Sequence, residues 1–288
     1  MLKAGYHLLS WLAKRLPDPV RAALMNAGGA AWFRLSRAQR EAALDNYGVV
    51  LGRRPGDAAV RRLARRAFQN YGDMLFDFVL IASLSPEELL ERVTYDGRDH
   101  LDAALARGRG VVLALPHMGS WDMAGSTAGA LGYRLHAIAE RFPGSLDEAV
   151  VRDREHFGIR VIPLDRGAVG AVVRALTAGD AVALVADIQR GAGGIEVDLF
   201  GRRATLPGGP ASFALKTGAP LLPASVWHTG RGRYHVHIEA AIDFEPSGDR
   251  RQDTLALTQL LARRFEQFIK ANPEDWYAFR PRFVAPVT

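Results

Sequence analysis

His117 and Asp122 stand five positions apart in the stretch Leu115-Pro-His117-Met-Gly-Ser-Trp-Asp122-Met-Ala-Gly125. An imidazole can take a proton from a hydroxyl near neutral pH. A carboxylate beside it fixes the tautomer and stabilises the imidazolium that forms. These two groups are two-thirds of a catalytic triad with no protein nucleophile, so the attacking hydroxyl is expected to come from the substrate. The chain has no cysteine, which removes a thiol nucleophile, a disulfide scaffold and a Cys-ligated metal from consideration. A single histidine at a strand end is ordinarily bonded to backbone. The carboxylate five residues on, in a turn flanked by Pro116 and Gly119, favours chemistry instead. Asp187 closes another buried run on the same expected edge and is a further candidate. Gly208-Gly209-Pro210 opens a predicted helix whose free N–H groups could hold a phosphate or an oxyanion, or simply make a turn with proline in the first helical position.

These residues must be positioned by the elements around them. Residues 110–116 form a short apolar run of the kind buried on both faces of a sheet. Ser120 can cap the helix predicted over 121–131, which puts Asp122 in its first turn. Strands over 136–140, 160–164 and 181–187 alternate with helices over 146–157 and 168–177. Residues 221–228 and 234–240 form a strand pair, and 255–271 a last helix. This order predicts an α/β fold with a mostly parallel central sheet flanked by helices. The domain reading is an amphipathic interfacial helix over 1–17, then one domain over 18–288. That domain is helical over 18–108 and an α/β core over 109–288.

Charge is also unevenly placed along the chain. The net charge is +6, but residues 1–70 carry thirteen Lys/Arg against four Asp/Glu, and the remainder is slightly acidic. A basic front suggests an anionic partner, nucleic acid or an anionic lipid leaflet. In residues 2–16, Leu2, Tyr6, Leu9, Leu12, Ala13 and Leu16 share one face, widened by Leu8 and Trp11. Lys3, His7, Ser10 and Lys14 line the other. This pattern suits a helix lying in a membrane surface. No apolar run approaches the roughly 20 residues that would span a bilayer, and no secretory cleavage site is evident. The expected location is peripheral, on the cytoplasmic face of the cell membrane.

The His117-x4-Asp122 pattern after an apolar strand resembles the lysophospholipid acyltransferase superfamily. The longer string from His117 to Gly125 is similar to its bacterial glycolipid branch, the lipid A lauroyl/myristoyl and phosphatidylinositol mannoside acyltransferases. Ala186-Asp187-Ile-Gln189, the stretch from Gly194 to Pro220 and Pro273-Glu-Asp-Trp276-Tyr-Ala-Phe-Arg280 carry the same resemblance. It implies an apolar acyl groove, no cofactor or metal, an acyl-CoA or acyl carrier protein donor and a membrane glycolipid or phospholipid acceptor. It makes His117 the general base and Asp122 its orienter, and assigns substrate-binding positions to Glu140, Arg141, Arg154 and Glu196; Gly208 and Gly209 join them as substrate-binding candidates through the helix N-terminus alone. Asp122 stands where the lipid A branch carries Glu, and the first helix replaces a longer apolar anchor. Both departures point to the mannoside side.

Other readings are weaker. A hydrolase of the same design would use water as acceptor. A nucleic-acid-binding protein would answer the basic front, but no recognition-helix or RNP motif accompanies it. His235-x-His237 puts two imidazoles on one strand face without an evident third ligand. Residues 191–194 read as a loop over the site, and Trp227 and Trp276 as core or interface aromatics.

Overall fold

A computed structural model of the chain describes residues 2–189 and 193–284; the first half of the loop read at 191–194 lies outside them. The first apolar run forms the strand Val111–Leu115, whose five residues are all buried. Val111, Leu113 and Leu115 pack into one core cluster, Val112 and Ala114 into another. Alternation sends neighbouring side chains to opposite faces, so a strand covered on both faces needs a continuous apolar run. Each fully buried Val or Leu contributes roughly 1.5–3 kcal/mol.

In chain order the elements are α1 (Leu2–Arg15), α2 (Asp18–Leu35), α3 (Arg37–Leu51), α4 (Ala58–Ile81), α5 (Pro86–Leu90), β1 (Val93–Asp96), α6 (Arg98–Leu105), β2 (Val111–Leu115) and α7 (Trp121–Ala130). Then follow β3 (Leu135–Ala139), α8 (Ser145–His156), β4 (Ile159–Pro163), α9 (Ala168–Thr177) and β5 (Ala181–Val185). The chain closes with β6 (Ile195–Leu199), β7 (Arg202–Leu206), α10 (Gly209–Thr217), β8 (Leu221–Gly230), β9 (Arg233–Ile238) and α11 (Arg250–Ala271). Seven strands make one sheet in the order β1-β9-β8-β2-β5-β3-β4. Only the β8–β9 pair is antiparallel; every other pairing in this sheet is parallel. The expected mostly parallel α/β fold is therefore present.

Two expectations are corrected. The sheet does not begin at residue 109: β1 lies inside the stretch read as helical and forms the sheet edge beside β9. Its four residues, Val-Thr-Tyr-Asp, are too few to show a period of two. The second correction concerns α1. Its packed side is the narrow stripe of Tyr6, Ser10 and Ala13, while Leu8, Leu9, Trp11 and Leu12 are exposed. Tyr6 packs with Ala149 and Val150 of α8. Lys14, expected on the polar face, is tied to Glu88 at 2.7 Å and to the Ser83 carbonyl at 2.9 Å. The helix thus uses small and polar side chains to hold the body and turns large apolar ones outward. Among the described residues no helix is long and apolar enough to cross a membrane.

Candidate active site

The sheet places His117 and Asp187 side by side. Leu115 is paired with Val185 across the β2–β5 ladder, so the residues two further on leave the sheet together. The His117 backbone N–H donates to Asp187 Oδ1 at 3.0 Å, and its Nδ1–H donates to the same oxygen at 2.5 Å. Trp276 Nε1–H donates to Asp187 Oδ2 at 2.8 Å. An Arg282 nitrogen stands 3.8 Å from that second oxygen. Burial works to raise the Asp187 carboxyl, but the charges of His117 and Arg282 and the hydrogen bonds from His117 and Trp276 outweigh it, holding it well below the usual carboxylate range. An ionised Asp187 on Nδ1 fixes the tautomer that leaves a lone pair on Nε2. The His117 side chain is 22 % exposed, against 3 % for Asp187.

This corrects the expected partner. Asp122 does not hold the imidazole; its Oδ1 accepts from Nε and Nη2 of Arg154, both at 2.8 Å. The turn itself explains the difference. Gly119 has φ +53°, and a Cβ there would lie 2.5 Å from the Val226 carbonyl oxygen, so only glycine fits. Ser120 then caps α7, accepting from the Met123 N–H, as its position suggested. Asp122 thereby enters the first helical turn, where it meets α8 rather than the imidazole. His117, Asp122 and Arg154 nonetheless line the same cavity.

That cavity holds about 570 Å³ between the sheet and α7. Leu113, Leu115, Ala183 and Val226 form part of its floor, and Ala124, Gly125 and Ala128 part of its roof. Small residues on the inner side of α7 leave unfilled the space that larger side chains would occupy between a helix and a sheet. Among the polar lining residues, His117, Glu140 and Gln189 follow the carboxyl ends of β2, β3 and β5, and with Asp122 and Arg154 they form a polar end of the cavity. The arrangement joins a proton acceptor to a space for an aliphatic chain.

The remaining expected positions divide. Glu140 and Gly209 line the cavity. Arg141 is largely exposed and faces Asp147 and Asp165 at 3.5 and 3.9 Å. Glu196 lies exposed on the β6–β7 hairpin opposite Thr205, away from the cavity lining. Gly208 caps α10 and packs close to Ile195. His237 Nδ1 is 2.5 Å and His235 Nε2 3.6 Å from Asp96 Oδ1, which explains the paired imidazoles. Among the described residues no group of three His, Cys, Asp or Glu is placed to hold a metal ion.

Sequence reading missed the C-terminal segment as part of the site. Met118 and Trp276 form an antiparallel bridge, with Gly119 N–H on the Asp275 carbonyl at 3.1 Å and Tyr277 N–H on the His117 carbonyl at 2.9 Å. The N-terminal helices hold this segment from behind. Asn46 donates to the carbonyls of Ala278 and Arg280 at 2.8 and 2.7 Å, and the Tyr47 hydroxyl donates to the Trp276 carbonyl. Buried polar residues on helices were the available signal, since an unpaired amide or phenol inside a core is costly.

A doubly covered parallel sheet with a histidine–carboxylate pair at the end of β2, opening on an apolar cavity, defines an enzyme built to handle an aliphatic chain. The model of the bacterial lipid A biosynthesis acyltransferases matches residues 4–285, and the chain belongs to that family. It is an acyltransferase of lipid biosynthesis. It is 38 % identical over 250 residues to the phosphatidylinositol mannoside acyltransferase of Mycobacterium tuberculosis H37Rv, covering 84 % of this chain and 77 % of that one. The Mycolicibacterium smegmatis protein of the same description is 32 % identical over 288 residues, covering 99 % and 92 %. A lipid A biosynthesis acyltransferase of Haemophilus influenzae is 24 % identical over 216 residues, covering 73 % and 65 %.

Proposed function

We propose that this enzyme moves a fatty acyl chain from the thioester of coenzyme A or an acyl carrier protein to a hydroxyl of a mannosylated membrane phospholipid. His117 is its general base and Asp187 the residue that orients the imidazole. The observation that carries this reading is the Asp187 clamp on Nδ1 of an imidazole lining an apolar cavity. Nε2 takes the proton of the acceptor hydroxyl as its oxygen attacks the thioester carbonyl carbon. The tetrahedral intermediate collapses, the C–S bond breaks, and the imidazolium returns the proton to the leaving thiolate. No acyl-enzyme is formed. Asp122 serves through Arg154, holding that guanidinium at the cavity's polar end. The mannosylated acceptor is favoured over lipid A by the higher identity to the mannoside acyltransferases and by aspartate in the His117-x4-Asp122 motif.

Donor and acceptor both carry aliphatic chains, so the site must meet a bilayer. The exposed Leu8, Leu9, Trp11 and Leu12 of α1 supply an apolar surface, and Tyr6 on the same helix meets Phe78, which stacks on Phe142, a cavity-lining residue. We place the enzyme on the cytoplasmic membrane surface through this helix, assisted by the basic N-terminal region. The test of the proposed function is mass spectrometry of the products formed from palmitoyl-CoA and phosphatidylinositol mannoside vesicles. The expected product is a mannoside lipid heavier by one palmitoyl group; free fatty acid as the sole product would make the protein a hydrolase.

A further inference from the structure

Asp187 is held at both oxygens, and its second oxygen is held by Trp276, a residue from the far end of the chain. Trp276 is fully buried, between the catalytic turn and α3. Its neighbour Asp275 is turned away from the cavity and is locked independently. Asp275 accepts from Nδ1 of His228 at 2.5 Å, from the His228 backbone N–H at 3.0 Å and from Asn70 Nδ2 at 2.8 Å. The His228–Asp275 pair resembles the His117–Asp187 pair in taking both Nδ1 and the backbone N–H on one carboxylate, but here the two bonds fall on different oxygens and His228 is outside the cavity lining. Its Nε2 is buried without a hydrogen-bond partner among the described residues.

We propose that Trp276 is a positioning residue for the transfer reaction, with the Asp275–His228 pair as the anchor that sets its indole on Asp187. The inference rests on the reading of His117 as general base. A carboxylate that received only the imidazole proton could rotate about its Cβ–Cγ bond and present either oxygen. The indole N–H occupies Oδ2 and leaves Oδ1 for His117. The bridge between Met118 and Trp276 makes the same segment fix the backbone of the histidine, so side chain and main chain share one support. A neutral donor on Oδ2 also draws charge away from Oδ1. Removing it raises the carboxylate's affinity for protons and stabilises the imidazolium more strongly. The charged groups around Asp187 are His117 and Arg282, with Asp122 and Arg154 beyond the imidazole at the cavity's polar end. Asp275 is spent on His228 and Asn70.

The test uses the full-length protein and palmitoyl-CoA, with coenzyme A release followed by a thiol reagent; the cysteine-free chain adds no background. Water alone and phosphatidylinositol mannoside vesicles are compared as acceptors. Trp276→Phe keeps an aromatic ring and removes the donor. The inference predicts a fall in kcat on the order of 10-fold with KM for palmitoyl-CoA unchanged, and an acid limb of kcat/KM displaced to higher pH. A merely structural tryptophan would lower the folded fraction and leave the limb in place. Asp275→Asn is the second arm, with the same displacement in smaller measure and therefore a readout even if Trp276→Phe is poorly soluble. Folded protein of either variant with wild-type kcat and an unmoved limb overturns the inference. His117→Ala separates the two levels. If it is inactive while both positioning variants behave as wild type, only the positioning role fails; if it turns over normally, the general-base reading fails with it.

Discussion

Two histidine–aspartate pairs in this protein are built alike and differ in what their outer nitrogens meet. In each, one carboxylate oxygen accepts from Nδ1 at 2.5 Å, and the same carboxylate accepts from the histidine's own backbone N–H. His117 lines an apolar cavity, whereas Nε2 of His228 is buried with no hydrogen-bond partner among the described residues. Pairing with a carboxylate therefore does not by itself make a base. On the proposed reading access to a substrate does, and of these two histidines His117 alone lines the cavity under α7.

Substitutions can break this comparison. The largest contrast is expected between Asp187→Asn and His228→Gln. The first should cost on the order of 10³-fold in kcat, because an amide no longer enforces the Nδ1–H tautomer. The second should cost less than about 10-fold in kcat and show mainly as lost stability, about 1–3 kcal/mol for the buried partner left unpaired. Equal losses of kcat in steady-state assays would remove the distinction. Next in size, Ala124→Leu extends a side chain into the cavity roof. Each acyl methylene it displaces is worth about 0.8 kcal/mol, roughly fourfold. Preference should move to shorter acyl thioesters, measured as kcat/KM across a donor series. An unchanged optimum would mean that the chain lies elsewhere.

Smaller effects follow from charge. The Asp187 carboxyl is held below its ordinary value, so its ionised form stabilises the fold above the unfolded value near 3.9. That contribution disappears as pH falls from there through the lower folded value. Wild-type stability should therefore decline on acidification in this window, and Asp187→Asn should decline less steeply in urea titrations at stepped pH. The smallest expected change is at the surface. Leu8→Ser with Leu12→Ser should weaken sedimentation with anionic vesicles while leaving turnover in water-soluble assays within about twofold, since both side chains point away from the body.

The comparison also explains what was legible in the sequence. The β2 run, the strand–helix alternation and the Ser120 cap depend on local pattern, and each appears where the pattern put it. His117 could be placed at a strand end for the same reason. Its partner could not be assigned from spacing, because the β2–β5 register, a contact across seventy residues, brings Asp187 alongside, while the nearer carboxylate is carried off by the helix it starts. The same applies to Trp276, whose role depends on a bridge to Met118 that no periodicity announces. β1 has too few residues to alternate visibly. On α1 the sequence exposed the amphipathic period but not which side faces inward; Tyr6, Ser10 and Ala13 face inward, with Tyr6 packed on Ala149 and Val150 of α8 and on Phe78 of α4.

The central claim is that the His117 imidazole removes the acceptor's proton in a pocket built for an acyl chain. The most direct measurement is the rate of palmitoyl transfer from palmitoyl-CoA to phosphatidylinositol mannoside by His117→Ala, with folding verified by its thermal transition. The account predicts a loss on the order of 10³-fold or more with the fold intact. Transfer within about tenfold of wild type by a folded His117→Ala protein would contradict it.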